Sequence, residues 1–273
     1  MKLFQKIMTV AMASAIIFGC GSSLNAATTT YNINKTFPDA ALRKYVSQYD
    51  LNKDGNLNSN EISKAGESYG DTRSLTLMDS NISNLEGLQI FTSCKVLLIN
   101  GCGVKKLDMT KMPFEQVYLG NFSEMTTFVC GKKQKEVTLQ FCDKLKDANF
   151  DSATNLTGLY LQECRSIDEL LFLDNCDKFS YFYAIESKIE EVYFSPKARL
   201  DTIGISSCPI SGIDMPGTGL ATLKTFDVTT TARYIPNITC KPDLGRILWN
   251  NRVANNKGYQ YKSNGVTINI KFA

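Results

Sequence analysis

Val137-Thr138-Leu139-Gln140-Phe141-Cys142 and Leu159-Tyr160-Leu161-Gln162-Glu163-Cys164 are two copies of one frame, Leu-x-Leu-x-x-(Cys/Ser/Thr). The frame recurs in both directions. Upstream it reads Val117/Leu119 before Phe122, Leu97/Ile99 before Cys102, and Leu75/Leu77 before Ser80. Downstream it reads Phe182/Ala184 before Ser187, Ile203/Ile205 before Cys208, Phe226/Val228 before Thr231, and a weaker Ile247/Trp249 before Arg252. Successive anchors stand 20 to 23 residues apart. Alternation places the two core residues of each copy on one side of a strand. A single strand of this kind cannot bury that side, but about nine stacked together make a continuous core.

The period is that of leucine-rich repeats. The expected fold is therefore an α/β repeat solenoid, a leucine-rich-repeat horseshoe of parallel strands over residues 71–255. In such a coil the anchor is a small polar group turned inward to satisfy backbone donors. Cys102, Cys142, Cys164 and Cys208 are read as buried structural thiols in that role. The alternatives are a disulfide ladder, whose geometry rarely suits neighbouring strands of one sheet, or a metal site. Cys94, Cys130, Cys176 and Cys240 fall off the frame, and one disulfide among them stays open.

Residues between the core pair face outward. That column runs Thr76, Leu98, Tyr118, Thr138, Tyr160, Tyr183, Gly204, Asp227 and Leu248. Tyr118, Tyr160 and Tyr183, with Phe141 and Tyr181, form a candidate ligand-binding patch surrounded by Gln116, Gln140, Gln162, Glu163 and Glu186. Exposed aromatics with polar neighbours suit a protein or glycan ligand. A register slip of one residue would bury these rings instead.

Both ends of a solenoid need covers. At the back, Tyr259–Tyr261 and Val266–Phe272, joined through Asn264-Gly265, read as a hairpin cap within 256–273. At the front, residues 37–70 read as a cap. Pro38 and Asp39 suit a helix start, and Leu42, Tyr45, Val46 and Tyr49 follow with helical spacing. The next twelve residues, Asp50 to Glu61, match an EF-hand calcium loop. Asp50, Asn52 and Asp54 offer side-chain oxygens, Gly55 allows the turn, and Asn56 offers its carbonyl. Asn58 acts through water, and Glu61 closes the shell with both oxygens. Leu57 anchors the loop inward, and Ile62 and Ala65 begin a second short helix. The competing reading is a polar turn between two helices. With three formal charges in the loop, the calcium expected here is a structural ion of modest affinity.

Residues 1–26 have the pattern of a secretory signal: Lys2 and Lys6, then an apolar run from Ile7 to Phe18 too short to span a bilayer. Leu24-Asn25-Ala26 offers a cleavage site. The competing reading takes Ile17-Phe18-Gly19-Cys20 as a lipobox, ending the signal at Gly19 and leaving a lipid anchor on Cys20. Either way the chain is exported, with 27–36 as a linker and no transmembrane segment beyond the signal. The 273 residues carry 30 basic and 27 acidic side chains and no histidine. So slight a positive balance argues against a nucleic-acid partner. The missing histidine removes the usual general base and imidazole metal sites.

Phe37-Pro38-Asp39, the Asp50–Glu61 loop with Ile62-Ser63, and Ile82-Ser83-Asn84-Leu85-Glu86-Gly87-Leu88 together resemble a group of bacterial leucine-rich-repeat proteins, common in gut bacteria, that carry one EF-hand before the solenoid. The resemblance spans about residues 32–110. It implies a secreted or cell-surface protein that binds proteins or glycans, often described as adhesion. The repeats here lack that group's regular asparagines. Two other functions compete. A dockerin-like assembly module needs a duplicated calcium loop, and only one is present. A hydrolase needs a carboxylate pair or an activated nucleophile, and no spacing singles one out. The expectation is a non-catalytic binding protein.

Overall fold

The computed structural model describes residues 29–216, 222–230, 237–241, 259–263 and 266–272. Residues 1–26, read as a signal and including Cys20, lie outside them. At the front, β1 (Thr30–Asn32) runs into α1 (Ile33–Thr36), followed by α2 (Ala40–Val46), β2 (Asn56–Asn58), α3 (Ser59–Lys64) and β3 (Glu67–Tyr69). Then come β4 (Thr72–Leu77), β5 (Val96–Asn100), β6 (Lys106–Asp108), β7 (Gln116–Gly120), β8 (Thr127–Val129), β9 (Glu136–Gln140) and β10 (Asp147–Asn149). They continue with β11 (Gly158–Gln162), β12 (Leu170–Leu173), β13 (Tyr181–Ile185), β14 (Glu191–Phe194), β15 (Thr202–Cys208) and β16 (Gly212–Pro216). The last are β17 (Thr225–Thr230), β18 (Asn237–Lys241), β19 (Tyr259–Ser263) and β20 (Val266–Phe272).

Strands β4, β5, β7, β9, β11, β13, β15 and β17 pair in parallel in that order, forming the first face of a β-solenoid with seven turns between them. Leu75, Leu97, Val117, Val137, Leu159, Phe182, Ile203 and Phe226 stack in register along one inner column. Leu77, Ile99, Leu119, Leu139, Leu161, Ala184, Ile205 and Val228 stack along the next, and both columns are buried. Bulky Phe182 stands two residues from small Ala184, so the turn keeps its volume while the residues change.

Three expectations are corrected. The coil is not α/β: between Thr72 and Pro216 the only helix is a 3₁₀ turn at Leu88–Ile90, and the return legs are strands. A leg inside a 20–23-residue turn that also holds a strand and two corners has room for three to five extended residues, not a helix of useful length. Nine turns are not seen either. The stretch around Ile247 and Trp249 lies outside the described residues, and the strand beside β17 is β20, with Phe226 opposite Ile268. β19 pairs antiparallel with β20. Finally, residues 30–36 are not a linker: β1 pairs antiparallel with β2 and Asn32 caps α1.

The return legs form a second face of two separate parallel sheets, β6-β8-β10 and β12-β14-β16-β18. Leu107, Phe128, Leu171, Val192 and Ile213 point from it into the shared core.

At the ends of six first-face strands, β5, β7, β9, β11, β13 and β15, one residue takes the left-handed conformation: Gly101, Asn121, Phe141, Glu163, Glu186 and Ser207. The reversal turns the following anchor inward. Cys102 Sγ donates to the Ile82 carbonyl at 2.9 Å, and Cys208 Sγ to that of Ser206 at 3.4 Å. Anchors also accept from the preceding turn: the Cys164 N–H donates to Ser187 Oγ (3.3 Å), and the Ser187 N–H to Cys208 Sγ (3.4 Å). Burial pushes the Cys102 and Cys208 thiols up to about 11, keeping them protonated as donors. Cys94, Cys130, Cys142, Cys164 and Cys176 are likewise buried and form no disulfide. The side chain of Cys240 lies outside the described residues.

The front cap is fastened by directional contacts. Asp39 Oδ1 caps α2 at the Leu42 N–H (2.9 Å), and Oδ2 accepts from Ser83 N and Oγ, both at 2.9 Å. Burial works to raise the Asp39 carboxyl, but these bonds outweigh it and hold the group below its ordinary value. The Arg73 guanidinium donates to the carbonyls of Lys64, Ala65 (2.7 Å) and Gly66 (2.6 Å), closing the C-terminus of α3. Phe37 is fully buried against Phe91, and Gly87, at φ +104°, leaves the space its ring fills.

Candidate functional site

The outward column of the first face is in register from Thr76 through Leu98, Tyr118, Thr138, Tyr160, Tyr183 and Gly204 to Asp227. Leu248 lies outside the described residues. Tyr160 and Tyr183 are adjacent, their rings 6.1 Å apart and tilted by 47°. A Cβ on Gly204 would stand 2.7 Å from the Tyr183 ring, so the ring lies over the glycine. Two residues before Tyr183 on the same side, Tyr181 is 46% exposed beside Gly158. Tyr118 is only half-buried, and burial, with Tyr69 and Glu136 nearby, pushes its phenol up to about 12. Phe141 is 38% exposed but lies beyond the end of β9 in the left-handed column, at the rim rather than among the tyrosines.

The polar surround is tied together across turns. Gln140 Nε2 and Tyr160 Oη both donate to Gln162 Oε1, at 3.0 and 3.2 Å, and Gln116 Nε2 donates to Glu136 Oε2 at 3.2 Å. At the rim Arg165 bridges Glu163 (2.5 Å), Asp143 (3.3 Å) and Glu186 (3.3 Å). Four rings and a network of amides therefore share one surface, able to offer flat apolar contact and hydrogen bonds together.

In the loop, both Glu61 oxygens turn inward. Oε1 accepts from the Leu51 N–H and Oε2 from the Asn58 N–H, each at 2.9 Å, and the residue is 3% exposed. Asp50 Oδ2 accepts from the Gly55 N–H at 2.9 Å, Asn52 Oδ1 from Asp54 N at 3.1 Å, and Asp54 Oδ1 from Asn56 N at 2.8 Å. Asn58 instead caps α3, accepting from Asn60 and Glu61 N–H groups. None of the three carboxylates of Asp50, Asp54 and Glu61 makes a salt bridge with a described residue. Among the described residues no three His, Cys, Asp or Glu side chains gather on one point. Half of the expected shell comes from Asn52, the Asn56 carbonyl and Asn58. An oxygen-only set with unbalanced negative charge fits a hard divalent cation.

The sequence reading missed the second face. Its signal was present as period-two alternation in Leu170-Leu171-Phe172-Leu173 and Glu191-Val192-Tyr193-Phe194, where Leu171, Leu173, Val192 and Phe194 are buried. Phe172 remains 51% exposed and stacks on Tyr193 at 5.0 Å and 15°.

No family model matches the chain, and no curated protein matches its sequence. Among solved structures, an internalin (inlF) from Listeria monocytogenes str. 4b F2365 is similar over 77% of this chain and 82% of its own, at 12% identity and a TM-score of 0.28. No helix among the described residues is long and apolar enough to cross a membrane.

Proposed function

We propose that this is an exported, non-catalytic binding protein of a bacterial surface or its surroundings. It presents the outer side of the first solenoid face to a protein or glycan. The observation that carries this reading is the in-register surface of Tyr160, Tyr181 and Tyr183, with Tyr118 and Phe141 at its borders and cross-turn amides around it. Rings set on a rigid sheet lose little freedom on binding, which favours contact with an extended ligand. A glycan and peptide array probed with the full chain, then with the Tyr118→Ala/Tyr160→Ala/Tyr183→Ala variant, tests it. The expected result is selective capture by the wild type and its loss in a folded variant. Capture that the variant retains overturns the reading.

The loop from Asp50 to Glu61 is proposed to hold a structural calcium ion, with Asp50, Asn52, Asp54, Asn56, Asn58 and Glu61 around it. The support is the buried Glu61 carboxylate, which has no salt-bridge partner among the described residues, and the oxygen-only donor set. Calcium at a hundred times its Kd adds about 2.7 kcal/mol to folding. Thermal unfolding with calcium, with magnesium and with chelator, on wild type and Glu61→Gln, checks it. A midpoint that calcium does not raise overturns the assignment.

A further inference from the structure

The two sheets of the second face stop facing each other at one place. β10 is the last strand of one and β12 the first of the other; the chain joins them by a single bond, Asp168 N–H to the Lys146 carbonyl at 2.8 Å, and they do not pair beyond it. Between them is a cavity of about 700 Å³, within the range of ligand clefts. Its floor includes buried Phe150, Ile167 and Leu171. One wall carries Asp147 and Asp151, the other Asp168 and Asp174, and Phe172 stands at the edge. Among the described residues the one cation lining it, Lys188, is already held by Glu169 at 2.9 Å. None of the four aspartates makes a salt bridge with a described residue, and they do not gather on a point as ligands of one metal ion would.

We propose that this cleft binds an extended peptide segment rich in arginine or lysine. Three features favour that occupant. The carboxylates are distributed along both walls, which suits several separated positive charges rather than one ion. The facing edges of β10 and β12 carry backbone groups that no strand pairs, the arrangement an added strand uses. Phe172, backed by Tyr193, offers an aromatic surface to a guanidinium. The cleft lies across the core from the tyrosine column, so this proposal is independent of the outer-face reading.

The test is fluorescence anisotropy of the full chain with a labelled eight-residue peptide of alternating Arg and Val. Matched probes are a Glu/Val peptide and an Arg/Val peptide N-methylated at alternate residues. Saturable binding of the Arg/Val peptide is expected. It should weaken at least tenfold in Asp168→Asn/Asp174→Asn, weaken in Phe172→Ala, and fall as salt rises. The Glu/Val peptide should not bind, and N-methylation should abolish binding. Equal binding by the folded charge variant, or by the Glu/Val peptide, overturns the site. Undiminished binding of the N-methylated peptide overturns the added strand. The Tyr118→Ala/Tyr160→Ala/Tyr183→Ala variant should bind the peptide as wild type does.

Discussion

The two faces of the solenoid are built from the same turns, yet one is continuous and the other broken. On the first face, the leading core residue stands five positions before its anchor in every turn, from Leu75 and Ser80 to Phe226 and Thr231. The strands consequently arrive in register, and eight of them pair without a gap. On the second face, the distance from anchor to inward residue varies. Cys102 to Leu107 is five, Phe122 to Phe128 and Cys142 to Ala148 are six, Cys164 to Leu171 is seven, and Ser187 to Val192 returns to five. The break falls at the longest link. The step in link length is not sufficient by itself: β12, at seven, still pairs in register with β14, at five.

The largest effect that can sharpen this contrast is in the core. Phe182→Ala on the continuous face should cost about 3–5 kcal/mol in denaturant unfolding, while Leu171→Ala beside the break should cost about 2 kcal/mol, because its surroundings can collapse into the opening. Equal losses would show that the break does not loosen local packing. The cap should be nearly as sensitive. Gly87→Ala, at φ +104° with the added carbon driven into the Phe37 ring, should cost about 3 kcal/mol by the same measurement.

Deleting Ser166 would shorten the long link to six and test whether spacing causes the break. Amide exchange at Leu171 and Phe172 should then slow as β12 meets β10. Unchanged exchange would put the cause elsewhere. Removing the Asp39 side chain with Asp39→Ala should cost about 1 kcal/mol near neutrality, the usual loss for a helix cap. Its folded carboxyl is depressed, so that stabilisation is complete above the unfolded value of about 3.9 and disappears as pH falls through the folded one. The stability difference between wild type and variant, followed from pH 6 to pH 2, should shrink only in the acid range. The smallest effect is expected from Ser207→Gly. Relieving a left-handed serine at φ 56° should stabilise the chain by up to about 1 kcal/mol.

The first face was legible because its signal is local and strict. A strand needs only alternation, and a constant five-residue step carries the register from turn to turn. The inward role of Cys102, Cys164 and Cys208 followed from the same step. The second face was not legible in that reading: its strands are three to five residues long, their spacing from the anchor drifts, and only hydrogen bonding between turns distinguishes such a leg from a loop. Tyr118 shows the same limit within the outward column. Its outward position follows from alternation, while its raised phenol reflects burial together with the charge and hydrogen bond of Tyr69, 49 residues earlier in the chain.

The sequence by itself determined which residues face the core and which face out along the first sheet, since period-two alternation is a property of the strand alone. Tertiary structure decided what lies beside what: which ring settles over Gly204, how Arg73 and Asp39 fasten the cap, and where the second sheet parts. Those outcomes depend on distances between turns, and the chain meets them only after the coil has closed.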